Sequence, residues 1–287
     1  MRYQYLLFDL DGTITDPKEG ITKSAQYALE AFGIHEPDAD KLTPFIGPPL
    51  IDSFQEFYHM PPEQAALAVK KYRERFEQVG WLENLLYDGM DSLLRGLQSA
   101  GCRLAVASSK PTVFVERILN HFGIADCFAV VVGSELSGAR TKKEEVVQEA
   151  LRQLFGASRP APHTAAMIGD RRFDVEGAKA HQLDSIGVAY GYALPGELQQ
   201  AGADFIVESV EELAERYLSP EREKKYRSAY RTVTASPVWE RASAQQREGV
   251  EEDLYDLVTG STAGERLQEK IDAGAAYGVS ETDYILY

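Results

Sequence analysis

Two cysteines in 287 residues, Cys102 and Cys127, are too few to staple a secreted fold and show no CxxC spacing for a metal. They are read as buried, reduced thiols. No stretch reaches the roughly 18 apolar residues that a bilayer span needs. The opening MRYQYLLF runs quickly into a β-rich apolar segment and lacks the zones of a signal peptide. Positive charge is also scarce: 30 Lys and Arg stand against 45 Asp and Glu, a formal charge of −15. That balance opposes nucleic-acid backbones and anionic membranes, which require clustered cations. The expectation is a cytoplasmic protein with neither a nucleic acid polymer nor a membrane as partner.

What is present is ordinary globular material, 44% hydrophobic and 26% charged. The length accommodates two domains and an extension. From residue 3 to about 210, short β-branched or apolar runs alternate with longer helical patterns. The predicted strands are Tyr3 to Phe8, Arg103 to Ala107, Phe128 to Val132, Ala165 to Ile168, Ser185 to Val188 and Asp204 to Val207. Helical spacing falls near Gly89 to Ala100, Pro111 to Phe122, Lys142 to Phe155 and Val175 to Ala180. The fold class expected is α/β, with a doubly wound, mainly parallel, Rossmann-like sheet.

Roughly 90 residues separate the first strand from the second, and they read as helices at Gly20 to Phe32, Leu50 to Phe57 and Pro62 to Val79. A crossover needs far fewer, so a helical cap is expected over residues 16–86. The core would then comprise 1–15 and 87–218, and 219–287 would be a helical C-terminal extension. That extension is charge-segregated: 220–247 hold seven Lys or Arg and three Glu, 248–287 two basic and ten acidic residues. Its apolar spacings at Val250, Leu254 and Leu257 suggest packing on the same chain, in a homo-oligomer or on a tail-bound partner.

The chemistry-bearing residues start at Phe8-Asp9-Leu10-Asp11-Gly12-Thr13, directly after the first strand. Ligands in open α/β sheets sit beyond the carboxyl ends of strands, and alternation lets Asp9 and Asp11 face one side while Leu10 packs. Gly12 permits a sharp turn whose amides are placed to approach an anion. Downstream, Ser108 and Ser109 close a strand, Lys143 opens a helix, and Asp170 and Asp174 follow a third strand. Singly, serines cap turns, lysines are solvated and aspartates favour first helical turns. Their joint occurrence in this order, all at one sheet edge, argues against those separate explanations.

These segments resemble the four motifs of the haloacid dehalogenase superfamily: FDLDGT the first, ASSK the second, Lys143 in TKKEEVV the third and IGDRRFD the fourth. FIGPPL, SSKP, IGVAYGY and AGADFIV add a resemblance to the phosphoglycolate phosphatase-like branch with a helical cap. The likeness spans about residues 1 to 215. It implies a Mg²⁺-dependent phosphatase acting on a small phosphorylated metabolite. Asp9 would be the nucleophile and Asp11 the proton carrier, with Ser108 and Lys143 completing the catalytic set. Ser108, Ser109, Gly12 and Lys143 would bind the phosphoryl group. Asp9, Asp11 through its carbonyl, Asp170 and, less directly, Asp174 would hold the metal.

Asp11 argues against a dehalogenase, and Thr13 stands where related phosphomutases carry a branched apolar residue. A non-catalytic phosphate-ligand sensor is the alternative from another class. Phosphoglycolate, nucleoside 5′-monophosphates and phosphotyrosine compete as substrates. In the cap, Thr43 to Leu50 is read as the loop facing the site, whereas Lys70, Lys71, Arg73 and Arg75 are read as a solvated helix face. None of the five histidines falls in a motif.

Overall fold

A computed structural model describes residues 3–218 except Pro162. The expected extension therefore lies outside the described residues. Tyr3–Glu212 form one compact unit, and the described residues 213–218 belong to a second.

Six parallel strands make the main sheet: β1 (Tyr5–Phe8), β4 (Arg103–Pro111), β5 (Phe128–Ser134), β6 (Ala165–Gly169), β7 (Asp184–Val188) and β8 (Phe205–Val207). A short antiparallel pair, β2 (Thr15–Asp16) and β3 (Leu85–Leu86), stands apart. The sheet order is β5-β4-β1-β6-β7-β8, so the winding reverses around β1, as the alternating sequence pattern predicts. β1 is fully interior because Leu6, Leu7 and Phe8 are buried and it pairs on both sides. Leu7, Ala105 and Met167 lie on the face covered by α6 (Lys143–Phe155) and α7 (Arg172–Ala180), through Val146, Val147 and Ala178.

β2 and β3 bracket a helical insertion, with α1 (Lys18–Glu30), a 3₁₀ segment (Ala39–Phe45), α2 (Leu50–Tyr58) and α3 (Pro62–Arg75) ending in a π-turn (Phe76–Gly80). Its own apolar cluster includes Ile21, Leu29, Leu42, Phe54 and Tyr72. The expected helix over Pro62 to Val79 thus stops being α-helical at Arg75, and the 3₁₀ segment was not expected because Pro44 breaks helical spacing. No helix among the described residues is long and apolar enough to cross a membrane. Both cysteines are buried and neither is in a disulfide, as expected.

Candidate active site

Every motif residue converges on the carboxyl edge of β1, β4 and β6. The ladder of β1 ends at Phe8, which pairs with Val106 and Ile168, and the Asp9 amide donates to the Ile168 carbonyl at 2.9 Å. Asp9 is therefore the first residue past the strand. β4 reaches further than predicted, to Pro111, but its register jumps: Ala107 pairs with Val132 and Pro111 with Ser134. Ser108, Ser109 and Lys110 thus stand opposite Gly133 alone, a bulge that turns them off the ladder toward Asp9 and Asp11.

Lys143 Nζ lies 2.8 Å from Asp9 Oδ2 and 2.8 Å from Asp174 Oδ1, and it donates to the Ala107 carbonyl at 3.1 Å. Burial works against its charge, but Asp174 and Asp9 more than offset that and hold its pKa above the ordinary lysine value. Its neighbour Lys142 is exposed. The Asp9 carboxylate is fixed from both ends, since its Oδ1 accepts from the Leu10 amide at 2.7 Å.

Asp170 is fully buried; it accepts from the Tyr192 amide at 2.8 Å and from Thr13 Oγ1 at 3.4 Å. Burial, then the charges of Asp174 and Asp9, push its pKa well above the ordinary carboxylate range. Asp174 accepts from the Arg171 amide through Oδ2 at 3.0 Å, and burial raises its pKa to about 6. One oxygen from each of Asp9, Asp170 and Asp174 lies within 4.8 Å of the others. Lys143 pairs with Asp9 and Asp174, and the three buried carboxylates together outnumber it, so a divalent cation would relieve their mutual repulsion.

Asp11 stands beside this cluster, and its Oδ2 is 2.6 Å from Lys110 Nζ. Its other oxygen, Oδ1, is buried and has no hydrogen-bond partner among the described residues. Burial raises its pKa, with Asp9 adding to that and Lys110 opposing it. Ser108 is buried with its Oγ accepting from the Lys110 amide at 3.3 Å, and Ser109 is half-buried.

One expectation is corrected. The Gly12 amide does not face an anion, because it donates to the Thr15 carbonyl at 2.8 Å to close the turn after β1. Gly12 is needed for another reason: its φ is +78°, and a Cβ there would lie 2.1 Å from Asp170 Oδ2. The cationic stretch on α3 also divides. Lys71 pairs with Glu74 and Arg75 with Glu83, but Lys70 and Arg73 line a cleft of about 430 Å³ above Asp11. That cleft is otherwise walled by Phe45, Phe76, Phe114 and the Gly47-Pro48-Pro49 loop, as expected for the loop.

Several contributors were not anticipated. Lys110 was quoted in a motif but given no role; its Nζ also sits 4.7 Å from the Phe76 ring centroid, joining the core to the insertion. Arg171 donates to the Ile46 carbonyl and to Glu197, and Glu197 further accepts from the Arg172 and Leu194 amides. Its adjacency to Asp170 was the one signal available in the sequence.

Residues 6–188 match the family model described as haloacid dehalogenase-like hydrolase. A protein of Pseudomonas aeruginosa named 5′-nucleotidase is 46% identical over 199 residues, 69% of this chain and 88% of its own length. The tyrosine-protein kinase PtkA of Mycobacterium tuberculosis is 42% identical over 189 residues, 66% of this chain and 63% of its own. The solved structure of a predicted phosphatase from Clostridium acetobutylicum superposes with a TM-score of 0.72 at 47% identity, covering 75% of this chain and 98% of that one.

Proposed function

The chain belongs to the haloacid dehalogenase-like hydrolase family, and from that we propose that it is a Mg²⁺-dependent phosphatase of small phosphate monoesters. The observation that carries the reading is Asp9, held by Lys143 at 2.8 Å within a buried carboxylate cluster and flanked by Asp11. A dianionic ester repels an anionic nucleophile, so charge must be neutralised where attack occurs. Asp9 and Asp170, with the Asp11 carbonyl, would hold the cation, and Asp174, whose Oδ1 faces the Lys143 ammonium and whose Oδ2 accepts from the Arg171 amide, would act through Lys143 and water. Mg²⁺ bound there would supply Lewis-acid neutralisation of the phosphoryl oxygens.

The residues divide the remaining work. Asp9 attacks phosphorus in line, the bond to the leaving oxygen breaks, and an aspartyl-phosphate forms. Asp11 gives its proton to the leaving alcohol, a role suited to a carboxyl whose pKa is raised chiefly by burial. It then takes a proton from the water that attacks the acyl phosphate, which releases inorganic phosphate and restores Asp9. Lys143 holds the nucleophile, while the Ser108 and Ser109 hydroxyls bind phosphoryl oxygens. The helical insertion acts as a cap that excludes water. The aromatic walls of the cleft favour a leaving group larger than a two-carbon acid, and the named 5′-nucleotidase supports nucleoside 5′-monophosphates ahead of phosphoglycolate. The two buried thiols, neither in a disulfide, fit a cytoplasmic setting.

The test is phosphate release from a chromogenic ester with Mg²⁺, in the wild type and in Asp9→Asn. Turnover should vanish in the variant and in excess chelator. Undiminished phosphate release by Asp9→Asn would end the nucleophile assignment, and interconversion of esters without free phosphate would favour a mutase.

A further inference from the structure

The cleft is lined by a polar side chain that the chemistry above leaves unused. Helix α3 and the turn after it present Val69, Tyr72 and Phe76 to the cleft. Tyr72 is only 4% exposed, and its ring stacks on Phe76 with centroids 5.4 Å apart. Its hydroxyl has no hydrogen-bond partner among the described residues. The oxygen is not sealed in the core but keeps access to the cleft, where a ligand or water can accept from it. Burial first, and the charge of Asp11 second, push the phenol pKa well above 10, so the group is a donor at any working pH. Asp11 lines the same cleft and stands where the leaving oxygen is protonated.

We propose that the Tyr72 hydroxyl is a substrate-binding donor that hydrogen-bonds an oxygen of the leaving alcohol next to the ester linkage, and so selects the sugar of a nucleoside 5′-monophosphate. The phosphoryl oxygens are not its target, because Ser108 and Lys143 on the core side serve them. A furanose places a ring oxygen and hydroxyls within a few bonds of the ester oxygen, and a flat base beyond it meets Phe45 and Phe114. A site built to donate to such an oxygen discriminates strongly against esters that lack it.

This inference rests on the phosphatase reading, and one experiment separates the two. The kcat/KM of the full chain with Mg²⁺ is measured for the common ribonucleoside 5′-monophosphates and for para-nitrophenyl phosphate, in the wild type and in Tyr72→Phe. The variant keeps the ring stacked on Phe76 and deletes only an unpartnered oxygen, so its thermal midpoint should not fall. Activity on the nucleotides should drop about tenfold while activity on the aryl phosphate is unchanged. An equal loss on both, no loss on either, or a wild type that cleaves the aryl phosphate but no nucleotide would overturn the inference and leave the phosphatase reading intact. A wild type silent on every ester would overturn that reading and this inference with it.

Discussion

Arg171 donates through Nη1 to the carbonyl oxygen of Ile46 at 2.7 Å, tying the residue after Asp170 to the loop that walls the cleft. Its Nε donates to Glu197 at 2.9 Å, so one guanidinium spans three segments far apart in sequence. The fork geometry of arginine suits this, and a lysine would reach only one partner well.

Arg171→Ala should therefore loosen the loop without touching the reacting atoms. A charge-assisted bond of this kind is worth ~1.5–3 kcal/mol, so KM is expected to rise about tenfold with kcat little changed. Gly47→Ala attacks the same contact from the loop side, because φ there is +106° and a Cβ would lie 3.2 Å from Arg171 Cγ. Steady-state kinetics on both variants check this. A fall in kcat at constant KM would place Arg171 in the chemical step instead.

Glu197 gives a pH-dependent version of the same test. Burial raises its pKa, but the Arg172 and Leu194 amides and then Arg171 together bring it below the ordinary value of 4.5. A depressed carboxyl contributes stability that is present above the unfolded-state pKa and lost as pH falls through the folded one. Glu197→Gln should thus lower the thermal midpoint most near neutral pH, with the gap to wild type closing below about pH 4.5. A gap constant across that window would mean that the charge of Glu197 contributes nothing.

Lys143→Met would leave Asp9 and Asp174 buried without their cation. Breaking a buried pair by removing one partner costs ~3–5 kcal/mol, so a large fall in thermal midpoint is expected. Millimolar Mg²⁺ should return part of that loss, because a divalent cation relieves the same repulsion. Thermal melts with and without Mg²⁺ measure both effects. If Mg²⁺ shifts neither wild type nor variant, the carboxylate cluster is not a cation site.

Gly12→Ala adds a methyl group against Asp170. The positive φ alone costs ~1–2 kcal/mol in a non-glycine residue, and the clash at 2.1 Å adds to it. The variant should be less stable and should show a smaller Mg²⁺-induced rise in melting temperature. An unperturbed melt and an unchanged Mg²⁺ response would show that the turn tolerates a side chain.

Much of this was legible in the residues. Asp9 and Asp11 sit two positions apart after an unbroken apolar strand, and strand alternation with a parallel sheet already brings them to the ligand edge. Asp170 follows β6 for the same reason. Lys110 and Tyr72 were not legible: a lysine in a serine-rich bulge and a tyrosine on a charged helix both have commoner solvated or packed explanations. Gly12 was misread because a glycine after a carboxylate pair suggests open amides, whereas its amide closes a turn.

The sequence alone determined the strand order of polar and apolar runs, the helical insertion and the four clustered motifs, since each depends on local periodicity and spacing. Only the tertiary structure decided which cation meets which carboxylate, that Lys70 and Arg73 part company with Lys71 and Arg75, and that Tyr72 and Asp11 line one cleft. Those outcomes depend on distances between residues remote in the chain, and on how far burial strips water from each, which periodicity does not encode.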